Sequence, residues 1–126
     1  RSSIRFLGWQ TDIAALYSAA DCVVLTSDNE GMPVSLIEAA MAGVPSVTTD
    51  VGSAREVVLD GVTGFVVSAD AAAVADGLAR ILDADLACQM GRAARERAMA
   101  EFDTGRLVAD HEILYERLVR DRVNAG

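Results

Sequence analysis

Basic charge, aromatics, histidine and long apolar runs are all scarce in this chain, and each shortage closes a class of function. Its 126 residues hold 11 Lys and Arg against 19 Asp and Glu, a formal charge of −8. Gripping a nucleic-acid backbone needs a basic face, and docking on an anionic bilayer needs a basic patch, so neither partner fits this balance. An anionic ligand must then be held by local dipoles and a few placed cations rather than by the global field. With one histidine, His111, followed by Glu112 in a charged stretch, neither a Ser–His–Asp grouping nor a paired-histidine zinc site is available. No Walker-type phosphate loop occurs, and metal is not implied. No apolar run approaches the roughly 20 residues that cross a bilayer, and no signal peptide is visible. The two cysteines, Cys22 and Cys88, have no metal or redox spacing, and cytoplasmic residence is the natural reading.

What is present is apolar and small. Hydrophobic residues make up 52% of the chain but aromatics only 5%, so the core must be Ala, Val and Leu, which suits helices packed closely on a sheet. At this length a single domain is expected, burying roughly two-thirds of its unfolded surface. Strand signals fall at Ile4–Leu7, Cys22–Thr26, Pro45–Thr48 and Phe65–Val67, the second read as buried on both faces. Helix signals fall at Ile13–Ala20 with Asp12 as cap, Val34–Ala42, Ala54–Leu59, Ala71–Leu82 with Asp70 as cap, Ala84–Phe102, and Thr104 to about Val123. Leu107, Leu114 and Leu118 share one stripe of the last helix. Strands alternating with helices imply right-handed crossovers and a parallel sheet, with ligands outside the carboxyl ends of the strands. The loops Gly8–Thr11, Ser27–Ser35 and Asp50–Ser53 all leave strand ends on that edge.

The stretch Glu30-Gly31-Met32-Pro33-Val34-Ser35-Leu36-Ile37-Glu38 carries the chemistry. Pro33, with its preset φ and missing N–H, suits the first helical position. Leu36, Ile37, Ala40 and Met41 repeat at helical spacing, and Gly43 supplies a C-terminal cap. Gly31 to Ser35 then run into a helix N-terminus with unpaired amides, a ready anion site. Glu38 lies one turn inside the helix beside Val34, where its carboxylate can accept from a vicinal diol such as a ribose. Glu30, at the mouth of the loop, can do the same for another sugar.

This stretch resembles the E-x7-E signature of the retaining glycosyltransferases of the glycogen-synthase-like group, which have the GT-B fold of two Rossmann-like halves facing a cleft. The resemblance continues along the chain. Ile4-Arg5-Phe6-Leu7-Gly8 looks like the family's strand and base-contacting turn, and Leu16 to Leu25 its helix and strand. Glu38-Ala39-Ala40-Met41-Ala42-Gly43-Val44-Pro45 is similar to the family's E-A-M-A-x-G-x-P run. Asp50-Val51-Gly52-Ser53 through Val58, then Asp60 to Val67, are similar to its next loop, turn and strand. The last helix resembles the family's final helix, which crosses back to the other domain.

The resemblance implies an α/β, Rossmann-like parallel sheet flanked by helices, the C-terminal half of a GT-B fold, with C-terminal helices. It makes residues 1–126 part of a C-terminal nucleotide-sugar-binding domain. The family's two preceding βα units, with an Arg and a Lys on the donor phosphates, and its acceptor domain would lie elsewhere. The implied reaction moves a sugar from a nucleoside diphosphate donor to an acceptor glycan, lipid or small molecule, with retention, without metal and with no cofactor beyond the donor itself. By the resemblance Glu38 meets the donor ribose and Glu30 the transferred sugar near the reacting carbon. The backbone of Gly31, Met32, Pro33, Val34 and Ser35 meets the sugar and diphosphate, and Gly8 holds the base edge. Ser35 adds a hydroxyl to the phosphate or bonds a neighbouring backbone group. The implied location is cytoplasmic, membrane-peripheral only through another domain, with no direct membrane contact from this part.

Other residues weigh less. Trp9 follows Gly8 and is placed to touch the base, although a lone Trp is more often packing. Arg55 is more a surface residue than a phosphate ligand, and Glu56 packs its loop. Asp83-Ala84-Asp85 matches the metal-binding D-x-D of another glycosyltransferase fold but joins two helices here, and is set aside. Two further classes stay open: a nucleotide-sugar epimerase of GT-B shape, and a non-catalytic nucleotide-sugar-binding module.

Overall fold

Three short runs of β-branched and small residues pair side by side. In the computed structural model, which describes residues 3–124, these are β1 (Val23–Leu25), β2 (Ser46–Thr49) and β3 (Gly64–Val67). They form a parallel sheet in the order β1-β2-β3, with Val24 beside Val47 and Val47 beside Phe65. Parallel neighbours need a crossover, and helices supply it. The helices are α1 (Ile13–Ser18), α2 (Val34–Met41), α3 (Ala54–Val57), α4 (Ala71–Ile81), α5 (Ala84–Glu101) and α6 (Thr104–Asn124). Asp12, Asp70 and Asp83 cap α1, α4 and α5 through side-chain bonds to first-turn amides.

Strand alternation divides the core. Val23, Leu25 and Val66 face α2 and α3, where Leu36, Ala54, Val57 and Val58 are buried with Ile37 and Phe102 against them. Cys22, Val47, Phe65 and Val67 face the other way, onto Leu78 and Ile81 of α4 and Leu86, Ala87 and Met90 of α5. The second half of α5 then leaves the sheet and packs Ala94 and Ala98 on Ala40 and Met41 of α2. So α5 ties both layers together, through small residues because the two backbones come close. A Cβ added at Gly91 would lie 2.1 Å from the Gly43 carbonyl oxygen. Gly43 closes α2 in the left-handed region, φ +79°, with its N–H on Ala40 O and that of Val44 on Ala39 O. These are the two bonds of a Schellman cap.

Two strand expectations are corrected. Residues 4–7 are not a strand: they do not enter the described sheet's ladder, and Phe6 is 96% exposed. The run at β1 is not buried on both faces. Val24 is 41% exposed, because β1 is an edge of the described sheet and α4 and α5 cover β2 and β3. Cys22 is accordingly half-buried, its thiol pushed up by burial and by Asp21, and Cys88 is exposed. The Leu107, Leu114 and Leu118 stripe of α6 is exposed. No described helix is long and apolar enough to cross a membrane.

Gly91→Ala is expected to destabilise the fold by about 1–3 kcal/mol, the range for forcing extra atoms into a tight contact. Urea unfolding measures it, and an unmoved midpoint would mean that α5 does not press on α2 at this point.

Candidate functional site

The loop after β1 leaves the carboxyl edge of the sheet and turns into α2, and its shape is imposed by the next strand. Thr49, at the end of β2, donates its hydroxyl to the Ser27 carbonyl at 2.6 Å. Ser27 in turn donates its hydroxyl to Glu30 Oε1 at 2.6 Å. The loop after β2 then closes on the same segment: the Ser53 amide donates to Gly31 O at 3.2 Å. Gly52, at φ +51°, passes so close that a Cβ there would sit 1.8 Å from the Glu30 carbonyl oxygen. Half-buried Glu30 is therefore held through its backbone by one loop and through its carboxylate by Ser27.

At the start of α2 no side chain caps the helix. Pro33 is the N-cap, with extended ψ of 99°, rather than the first helical residue, which is Val34. Its missing N–H is as harmless there, and its carbonyl receives the amides of Leu36 and Ile37. The amides of Val34 and Ser35 precede the first intrahelical bond and lack a helical acceptor. One turn on, exposed Glu38 accepts from the Tyr17 hydroxyl of α1, Oε2 lying 3.0 Å away. The same hydroxyl is 3.2 Å from the Ser35 carbonyl. Burial, then the bond to Glu38, push the Tyr17 phenol up to about 12, so it stays a proton donor across any working pH. Each carboxylate of the pair is thus gripped at one oxygen by a side-chain hydroxyl, Glu30 from its own loop and Glu38 from α1. A carboxylate offers about four acceptor positions, so others remain for a ligand.

The remaining candidates fare differently. Gly8 and Trp9 line a separate open groove of about 580 Å³ with Leu7, Gln10, Thr11, Ile13 and Leu16. Trp9 is 92% exposed, which removes the packing role. A second groove, of about 500 Å³, holds Tyr17, Glu38 and Arg95 and shares only Ile13 with the first. Arg55 pairs with Asp50 in a two-pronged bond of 2.6 and 2.7 Å. Asp85 gives its amide, with that of Leu86, to the Asp83 cap, so the D-x-D pattern is a helix start. Glu56 accepts from Ser53 at 2.9 Å and holds the loop, as expected. Sequence reasoning missed Tyr17, Ser27, Thr49 and Gly52. Two carried a signal: Gly52, a glycine in a loop leaving a strand, and Tyr17, which opens the Y-x-x-A-D-x-x-V-L pattern within Leu16 to Leu25.

Three comparisons bear on this arrangement. The family described as Glycosyl transferases group 1 matches residues 1–84. The N-acetyl-alpha-D-glucosaminyl L-malate synthase of Bacillus anthracis is 35% identical over 123 residues, 96% of this chain and 32% of the relative. Among solved structures, the sucrose-phosphate synthase of Thermosynechococcus elongatus superposes with a TM-score of 0.82 at 33% identity, over 86% of this chain and 28% of that one. Anabaena HepE, solved in complex with UDP and glucose, gives a TM-score of 0.77 at 28% identity over 92% of this chain and 32% of its own. The chain thus spans about a third or less of each of these three proteins.

Gly52→Ala is expected to push the two loops apart and lower the melting temperature. A Glu30 carbonyl resonance unchanged in this variant would show the contact to be slack. The Arg55 guanidinium holds the Asp50 carboxyl below its usual range. The pair therefore contributes above the ordinary value of about 3.9 and is lost only as pH falls through the lower folded value. An NMR titration should find Asp50 below about 3.9 and moving back up in Arg55→Ala.

Proposed function

This chain belongs to the glycosyl transferases group 1 family and has the Rossmann-like α/β fold of its GT-B members, and from that premise we propose that it binds the nucleoside diphosphate sugar donor of a retaining, metal-independent glycosyltransferase. The observation that carries this reading is the uncapped start of α2 with a hydroxyl-held carboxylate on either side of it. It is supported by the neighbour HepE, solved with UDP, with UDP and glucose, and with UDP-glucose. In this reading residues 1–126 are part of a nucleotide-sugar-binding domain. The acceptor, whether glycan, lipid or small molecule, is bound by other parts of the complete protein. Free thiols at Cys22 and Cys88 accord with a cytoplasmic setting.

The roles follow from charge and geometry. Breaking the bond between sugar and diphosphate leaves negative charge on phosphate. Amides at the start of α2, from Val34 and Ser35 with Gly31 and Met32 before them, point a partial positive charge at that position. Glu38 accepts the ribose hydroxyls. Glu30 accepts hydroxyls of the transferred sugar and fixes its reacting carbon, which is catalysis by positioning. Gly8 and Trp9 meet the base from the groove beyond α1. No metal is assigned a role: the departing charge goes to the helix start and to cations that the rest of the protein supplies.

In the complete protein, Glu38→Ala should weaken nucleotide binding by about 1.5–3 kcal/mol, the worth of a hydrogen bond to a charged acceptor. Calorimetry with UDP, GDP and ADP measures this and names the base. An unchanged dissociation constant ends the ribose assignment. Glu30→Gln should lose turnover far more than affinity, and full turnover would remove Glu30 from the reacting centre. NMR of the product anomer tests retention, and activity persisting in EDTA tests metal independence.

A further inference from the structure

Glu38 sits on an exposed turn of α2, where a glutamate has three free side-chain torsions and no reason to hold one direction. Yet it is not loose: a phenol from a different helix reaches across to it. α1 has no buried residue, and Tyr17 is the half-buried side chain through which it bonds to α2. The phenol has one proton and two acceptors in reach, Glu38 Oε2 at 3.0 Å and Ser35 O at 3.2 Å. A charged acceptor makes the stronger bond, so the proton goes to the carboxylate. That bond fills one lone-pair position of Oε2 and fixes the plane of the carboxylate. The positions left on Oε1 and Oε2 are two acceptors side by side, the pattern that matches two adjacent hydroxyls. A single hydroxyl would use only one of them.

We propose that Tyr17 is a positioning residue that presents the Glu38 carboxylate to both ribose hydroxyls of the donor, and so sets a preference for ribonucleotides over 2′-deoxyribonucleotides. This rests on the reading of Glu38 as the ribose acceptor. Holding the carboxylate before the ligand arrives removes part of the ordering cost that binding otherwise carries. A 2′-deoxynucleotide leaves one of the two aimed acceptors unpaired. With the phenol gone, Glu38 turns freely and follows whichever hydroxyl is present, so the advantage of the second hydroxyl shrinks.

The test is calorimetric, on the complete protein, with UDP, GDP and ADP and their 2′-deoxy forms. The base that binds tightest serves as reporter. Wild type should prefer the ribonucleotide, and Tyr17→Phe, which keeps the ring, should weaken ribonucleotide binding roughly three- to tenfold, the scale of one hydrogen bond. It should leave the 2′-deoxy affinity nearly unchanged, so the ratio falls towards one. Adding Tyr17→Phe to Glu38→Ala should change nothing further. The ratio is measured on folded protein, so a lower folded fraction cancels from it. Equal weakening of both nucleotides would mean that Tyr17 merely supports the fold, and an unchanged ratio would mean that it does not aim Glu38. If Glu38→Ala collapses the ratio and Tyr17→Phe does not, the proposal for Tyr17 fails and the ribose assignment stands. If Glu38→Ala also leaves the ratio intact, or none of the nucleotides binds, both fail.

Discussion

The site depends on one backbone contact. Gly52 lies against the Glu30 carbonyl so closely that no side chain fits between them, and its neighbour Ser53 donates to Gly31. That contact makes two crossovers of a parallel sheet into one rigid edge. Without it, the segment after β1 would be tied to the sheet only through Thr49 and Ser27, and the backbone at Glu30 and Gly31 would lose its second support. With it, the loop enters α2 at a fixed angle, and the position of the helix start follows. The same logic repeats at the other end of α2, where Gly91 presses on Gly43. A short helix of 8 residues is marginal by itself. Clamped at both ends by close backbone approach, and buried through Leu36, Ala39 and Ala40, it becomes a stable platform.

Much of this was legible in the order of residues. The alternation of apolar runs with capped helices gave the parallel sheet, and Asp12 and Asp70 cap the helices they were expected to cap. The loop from Glu30 to Glu38 fell where the pattern placed it. Patterns of this kind report what one residue does within its own element. They report poorly on contacts between elements. Tyr17 and Glu38 are 21 positions apart, and Thr49 and Ser27 are 22 apart. Neither pair shares a period, so nothing local links them. The run at residues 4–7 failed for the opposite reason. Its composition is that of a strand, but a strand also needs a neighbour in the ladder and a layer on its face, and composition supplies neither.

Charge sets the remaining constraint. An acidic chain that holds a diphosphate must offset its own field locally. Arg55, beside these loops, is committed to Asp50 and stiffens the loop that carries Gly52, and Arg95, in the groove with Glu38, donates to the Met41 carbonyl. In the proposed reading, what faces the donor is then mainly a pair of carboxylates and a row of amides. Carboxylates repel phosphate but accept from sugar hydroxyls, and amides do the reverse. In that reading the two kinds of group sort the donor by parts, hydroxyls to the acids and phosphate to the helix start. Misplacing either carboxylate by a torsion would bring negative charge against the phosphate. On that reading the hydroxyls of Ser27 and Tyr17 have a second consequence: by fixing where each carboxylate points, they also fix where it does not, and keep the proposed anion position open.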